Sequence, residues 1–204
     1  MLSDLDIGMN DWMVPELTWD ENYRPDRGKV LGPEDLAKMD RFIRYLDSDG
    51  DGITYRTLPG EDPKGAYFTR GSGHDRFGAY TENSEAYQDV LDRLLVKWQT
   101  AKTLVPDAVL SKAEQRTRLG IVAYGSSDGA VIEARDRLAE LGIHADYLRI
   151  RALPFTSEVE NFLHDHDTIF VVEQNRDAQM RSLLTLESAD TANRLVPILH
   201  YNGM

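Results

Sequence analysis

Cysteine is absent from the 204 residues. That absence excludes a disulfide scaffold, a thiol nucleophile, and any iron–sulfur cluster or structural zinc held by this chain's own thiolates. No run of about 18 apolar residues occurs, so the sequence offers no membrane-spanning helix. Internal repeats and low-complexity tracts are missing too. No basic patch or tail stands out: 23 basic residues face 35 acidic ones, for a net charge of −12. The deficit is even, with 10 basic against 16 acidic residues over 1–80 and 13 against 19 over 81–204. No nucleic acid and no anionic membrane is therefore expected as a partner, and the excess acid reads as a solubility feature. Met1–Asn10 carries Asp4 and Asp6 and no basic stretch ahead of an apolar run. No signal peptide is read there, and the expected compartment is cytoplasmic.

What is present, 41% hydrophobic and 28% charged residues, is ordinary for a globular chain. Periodicity changes near residue 105. Beyond it, short apolar runs alternate with helical stretches. Leu119–Tyr124 (LGIVAY), His144–Ile150, Thr168–Glu173 (TIFVVE) and Leu195–Tyr201 read as strands, the last at an edge because of Pro197. Between them, helices are expected from Ser126–Asp128 through Leu141 (stopped by Gly142), from Ser157 to about His164, and over Arg176–Leu186. Val131, Ala134, Leu138 and Leu141 would form the apolar face of the first. Strands joined by crossover helices imply an α/β fold, a mainly parallel sheet with helices on both faces.

The first hundred residues differ. Asn10–Gly32, with Trp12, Trp19 and Tyr23 as candidate anchors, reads as an extended segment wrapping a surface. Pro33–Leu46 reads as a helix with Leu36, Met39, Phe42, Ile43 and Leu46 on one stripe. Asp47–Glu82 is glycine-rich and aperiodic, the kind of long loop that is functional or docked on a partner. Asn83 or Ser84 caps a long helix to about Leu104, with Tyr87, Val90, Leu91, Leu94, Leu95 and Trp98 facing inward. The organisation read is thus 1–32, 33–105 and 106–204, a loop-rich first part with two helices ahead of the α/β domain.

Asp47-Ser48-Asp49-Gly50-Asp51-Gly52 begins as a calcium loop does, with alternate carboxylates and a sixth-position glycine. The twelfth position should be a bidentate glutamate and is Leu58, followed by Pro59-Gly60, so a polar Asp/Gly turn competes with a weak cation site at Asp47, Asp49 and Asp51. Gly125-Ser126-Ser127-Asp128-Gly129 lies between a strand and a helix, where nucleotide folds hold phosphate, but Asp128 would repel one and better suits capping. Thr69–Asp75 brings Arg70, His74 and Asp75 into one glycine-rich loop, suited to an anionic ligand or to an Arg–Asp pair across a turn. His164 and His166 are spaced to point to different sides, which disfavours a metal. Glu173-Gln174-Asn175 ends a strand, where a ligand, a subunit contact or a helix cap by Asn175 would each fit.

Six segments in order, Leu2–Asn10 (LSDLDIGMN), Gly52–Gly60 (GITYRTLPG), Tyr67–Asp75 (YFTRGSGHD), Gly125–Val131 (GSSDGAV), Leu148–Ile150 (LRI) and Val171–Asn175 (VVEQN), resemble the alpha subunit of 2-oxoacid:ferredoxin oxidoreductases, most of all the 2-oxoglutarate type. The resemblance implies that the chain is a piece of a longer subunit: the end of a pyrimidine-binding domain and a linker over 1–32, then a domain similar to the carboxy-terminal domain of transketolases. It implies membership of a thiamine-diphosphate-dependent complex that oxidises a 2-oxoacid to acyl-coenzyme A and carbon dioxide and passes electrons to ferredoxin. Thiamine diphosphate, magnesium and the iron–sulfur cluster would then belong to the whole complex, chiefly its beta subunit, and none would be bound by this chain alone. No catalytic residue carries over. The implied role is scaffolding and closure, with Arg56, Arg70, His74 and Asp75 at a subunit interface or cofactor cleft. Two rivals remain: a free-standing α/β binding module that senses a cation, and a structural domain that has lost its enzyme context.

Overall fold

The computed structural model describes residues 8–9, 13–69 and 71–202. Trp12, Arg70 and most of the Leu2–Asn10 segment lie outside them. The chain divides into two compact units, one formed by Glu16–Thr103 and the other including the chain from Leu104 onward.

The second of these units is a five-stranded sheet in the order β1-β3-β2-β4-β5, formed by Val109–Ser111, Asp146–Ile150, Leu119–Tyr124, Thr168–Glu173 and Leu195–Leu199 respectively. β1 runs antiparallel to β3, and every other pair is parallel. The strand β1 has no counterpart in the expected pattern, because a three-residue strand with two exposed residues carries too little periodicity to be seen. Among the described residues β5 pairs only with β4, so Pro197 sits on an edge strand, where its missing N–H leaves no ladder bond unmade.

Alternation along the strands separates two apolar layers. Val122, Leu148, Ile150, Ile169 and Val171 point to one face, where they pack with Phe155, Val159, Phe162, Leu163, Met180 and Leu184. Ile121, Ala123 and Tyr147 point to the other, with Val131 and Ala145. Helices therefore cover both faces. α3 (Ser127–Glu140) supplies Val131, α4 (Ser157–Asp165) supplies Val159, Phe162 and Leu163, and α5 (Gln179–Glu187) supplies Met180 and Leu184. Of the apolar face expected on α3, only Val131 is buried; Ala134 and Leu141 are exposed and Leu138 half-buried. The helix stops as expected: Gly142 takes a positive φ of 78° while the Ile143 N–H bonds back to the Leu138 carbonyl at 2.9 Å.

Gly120 decides how closely α4 approaches β2. A Cβ there would stand 2.8 Å from Cε1 of Phe162, whose ring lies 4.1 Å from that of His166. His166 is buried and its Nδ1 pairs with the Phe162 carbonyl at 2.8 Å, while His164 is exposed and its Nε2 meets Asp190 at 3.0 Å. The two imidazoles diverge, as their spacing requires.

In the Glu16–Thr103 unit, residues 16–28 are exposed and without helix or strand. Trp19 and Tyr23, two of the candidate anchors, are exposed in this chain. The helix expected to Leu46 ends far earlier: α1 spans Pro33–Ala37. Lys64 explains the stop. Its ammonium donates to the Leu36 and Met39 carbonyls at 3.2 and 2.8 Å, taking acceptors that a longer helix would fill with its own N–H groups. Leu36 and Phe42 are still buried, so the stripe contributes to the core without remaining helical. α2 (Ser84–Lys102) matches its expected span, and Asn83 caps it by accepting from the Ala86 N–H at 2.9 Å. The inward face expected for it is not found: no α2 residue is buried.

Candidate functional site

The Asp47–Gly52 turn is a closed electrostatic unit. Asp47 Oδ1 and Oδ2 accept from the N–H groups of Gly50 and Gly52 at 2.9 and 2.8 Å, so this carboxylate shapes the loop. Lys29 fills the centre. Its Nζ lies 2.7 Å from both Asp49 oxygens, 2.7 Å from Asp51 Oδ1 and 3.0 Å from the Ile53 carbonyl. Oxygens of the three aspartates do lie within 4.8 Å of one another. The position that a divalent ion would take among them is held by a tethered ammonium, whose charge opposes a second cation.

Burial works against the Lys29 charge, but hydrogen bonds and charge from Asp49 and Asp51 outweigh it and raise the ammonium above the usual lysine value. The same hydrogen bond holds the Asp51 carboxyl below its usual range. A group so depressed stabilises the fold above the ordinary aspartate range, and that contribution is lost as pH falls through its folded value. The stability gap between the wild type and Lys29→Met is thus expected to be full at neutral pH and to close in acid. Denaturant unfolding of both proteins at several pH values checks this, and a pH-independent gap refutes it. Calcium added to the wild type should leave tryptophan fluorescence unchanged.

The chain leaving this turn builds a groove. Residues 56–60 and 65–69 line it, pinned together by the buried Thr57 hydroxyl donating to the Gly65 carbonyl at 2.7 Å. The groove encloses about 790 Å³, and Arg44, Arg56, Asp62, Tyr67 and Phe68 are among its lining residues. Two guanidinium groups beside two aromatic rings suit an anion with a flat portion, since arginine both pairs with oxyanions and stacks on π faces. Arg44 is braced from one side, Nη1 donating to Thr54 Oγ1 at 2.8 Å and to the Tyr55 carbonyl, with its Nε buried and unpaired. Arg56 donates from Nη2 to the Arg27 carbonyl at 2.7 Å, and its backbone bridges to Val30.

Among the residues singled out in the sequence, the structure brings Arg56 into the groove and His74 close to its end. The His74 ring stacks on Tyr45 with centroids 4.2 Å apart, and the Tyr45 hydroxyl lies 3.2 Å from Oγ1 of the groove residue Thr69. Asp75 is occupied differently: its Oδ1 accepts from the N–H groups of Phe77 and Ala79 at 2.9 and 3.0 Å, which makes it a turn-former. Arg44 and Tyr45 were missed in the sequence, because a stretch read as helix gave no reason to look for ligand-facing side chains there.

Two strand-end motifs of the sheet unit resolve as structural. Asp128 is no helix cap: the Tyr147 hydroxyl donates to its Oδ1 at 2.8 Å, and Arg149 meets its Oδ2 at 3.1 Å. Burial first, and then this hydrogen bond, push the Tyr147 phenol well above its usual value. Glu173, completely buried, caps α5 by accepting from the N–H groups of Met180 and Arg181 at 2.7 and 3.0 Å and from Asn175 Nδ2 at 2.7 Å. Asn175 Oδ1 in turn accepts from the N–H groups of Asp177 and Gln179, and Ala178 takes a left-handed conformation (φ 50°). That turn is why α5 starts at Gln179 and not at Arg176.

No model of a known protein family matches the sequence. Individual proteins do. Over 187 residues, 90% of this chain, it is 26% identical to a 2-oxoacid:ferredoxin oxidoreductase subunit alpha of Saccharolobus solfataricus, of which the match covers 28%. Over 163 residues, 78% of this chain, it is 29% identical to the alpha subunit of 2-oxoacid:ferredoxin oxidoreductase 2 of Aeropyrum pernix, covering 24% of that protein. The chain is a relative of these alpha subunits. It spans about a quarter of their length. Among solved structures, the 2-oxoglutarate:ferredoxin oxidoreductase of Magnetococcus marinus, with 2-oxoglutarate, coenzyme A and succinyl-CoA bound, shares the fold: TM-score 0.61 at 19% identity, over 77% of this chain and 29% of that one.

Proposed function

We propose that this chain forms part of the alpha subunit of a thiamine-diphosphate-dependent 2-oxoacid:ferredoxin oxidoreductase acting on 2-oxoglutarate, yielding succinyl-coenzyme A, carbon dioxide and reduced ferredoxin. The observation that carries the reading is the alpha-subunit similarity running along 90% of the chain. The shared fold of the 2-oxoglutarate enzyme supports it. In this reading the chain works in the cytoplasm beside a beta subunit, and residues 1–32 continue from a pyrimidine-binding domain.

The cofactors of such a complex do not fit the residues described. A cluster needs thiolates, and the sequence has none. A magnesium ion carrying a diphosphate needs available carboxylates, and the three that converge are taken by loop N–H groups and by Lys29. In this reading other parts of the complex supply those groups and the catalytic residues. Its contribution is support: the sheet unit holds subunits together, and the Ile53–Asp75 loop, with Arg56, Arg70 and His74, lines an interface or cofactor cleft.

Arg56→Ala in the assembled complex should lower kcat/KM about tenfold, roughly 1.4 kcal/mol of transition-state stabilisation, by loosening the groove wall that Arg56 ties to Arg27. Steady-state kinetics with 2-oxoglutarate and coenzyme A, paired with a thermal melt, test it; unchanged kinetics end the cleft assignment. Purification of the complex through a tag on this chain tests the reading itself. A cysteine-rich, brown partner is expected, whereas isolation of a colourless chain under every condition would favour a free-standing module.

A further inference from the structure

We propose that the groove lined by residues 56–60 and 65–69 takes one extended, acidic segment of a partner chain, which pairs with Tyr67–Thr69 as an added strand. One wall of the groove is an open backbone edge. Ala66 leaves the preceding turn extended, at φ −72° and ψ 136°, and residues 67–69 run on without turn or bend. All four residues are exposed and all four line the groove. Among the described residues, no hydrogen bond answers the N–H groups of Tyr67, Phe68 and Thr69 or the carbonyls of Ala66 and Tyr67. Successive residues of an extended chain present these groups to opposite sides. Phe68 turns its carbonyl toward Gly78, 3.2 Å from where a Cβ would stand there. Tyr67 and Thr69 therefore present theirs away from Gly78, as an unpaired strand edge does. Peptides that bind by strand addition use an exposed edge of this kind.

The side chains set the sign of the occupant. Arg44 and Arg56 line the groove, and neither meets a carboxylate among the described residues, although acidic residues outnumber basic ones by 35 to 23. Arg44 commits Nη1 to Thr54 and Tyr55, which fixes the guanidinium while its Nε stays buried and unpaired. Arg56 commits Nη2 to the Arg27 carbonyl. Guanidinium groups held in this way are set up to pair with carboxylates. Asp62, the one acid among the lining residues, is occupied in capping the Pro63–Gly65 turn through the Lys64 N–H. Tyr67 and Phe68, 45% and 80% exposed, offer ring surface to apolar side chains that alternate with the acids. A nucleotide would meet the same rings and guanidinium groups but leave the backbone edge unanswered; a peptide answers both. The inference rests on the reading of the Ile53–Asp75 loop as an interface or cleft, and decides it for an interface.

The probe is a short fluorescein-labelled peptide alternating glutamate with valine, titrated with the full chain and followed by anisotropy. Saturable binding is expected. It should be lost when lysine replaces glutamate, and lost when alternate peptide nitrogens are methylated, which removes ladder donors and keeps the charge. Arg56→Ala should weaken binding about tenfold, and Phe68→Ala, changed at an exposed position, should weaken it while keeping the wild-type circular dichroism. In hydrogen–deuterium exchange the Tyr67 and Thr69 amides should gain protection when the peptide is present. No binding, equal binding of the methylated peptide, or ADP binding in the peptide's place would each overturn the proposal. The enzyme reading is judged separately, by turnover of the assembled complex, and survives any of these results.

Discussion

Glu173→Gln should cost the sheet unit about 3 kcal/mol and lower its unfolding midpoint by about 15 °C. The side chain keeps its size, so no cavity forms. What changes is that one acceptor oxygen becomes an NH2, which at the Oε2 position faces the Met180 N–H and the Asn175 amide and at the Oε1 position faces the Arg181 N–H, on a side chain that is completely buried. Buried donors left unpaired carry their full desolvation penalty, and the α5 N-terminus loses the negative charge that its dipole favours. Asn175→Ala, which removes the turn acceptor and one of the three donors to Glu173 but leaves no buried donor unpaired at α5, should cost about 1 kcal/mol. Thermal and denaturant unfolding of the two variants check the ranking. Equal, small losses would mean that Glu173 does not hold α5 to the sheet.

Gly52→Ala should be at least as damaging to the loop-rich unit, at about 3 kcal/mol or more. Gly52 sits at φ +76°, and an added Cβ would stand 2.2 Å from Lys97 N, 2.6 Å from Lys97 Cα and 2.8 Å from the Arg93 carbonyl. All three are helix backbone, which cannot swing aside as a side chain would. Gly60 provides the control: it has φ +86° with nothing within 4 Å, so Gly60→Ala meets only the left-handed penalty of about 1 kcal/mol. Limited proteolysis in the Asp47–Gly60 loop and the emission of Trp98 should report release of α2 in Gly52→Ala and not in Gly60→Ala. Identical behaviour of the two variants would refute the close approach.

The sheet unit was legible because β2 and β4 are continuous apolar runs, as strands covered on both faces must be, and Gly142 stops α3 where its φ demands glycine. The loop-rich unit was not legible, because its order comes from single long-range contacts without periodicity. Lys64 ends α1 from 25 residues away, and Lys29 enters the Asp49–Asp51 turn from 20. An ammonium that replaces a cation leaves no trace in the aspartate spacing. The apolar stripe of α2 was seen, but periodicity alone cannot say whether a stripe faces the chain's own core or another molecule. Arg56 was found through resemblance, and Arg44 and Tyr45 only through the fold.

The account rests on kinship with the alpha subunits, and a redox assay tests it most directly. The complex isolated through this chain is incubated anaerobically with 2-oxoglutarate, coenzyme A and an oxidised viologen as electron acceptor. Dye reduction that requires both 2-oxoglutarate and coenzyme A, with succinyl-coenzyme A formed in step, is the predicted result. A stable native complex that reduces no dye with any 2-oxoacid would contradict it.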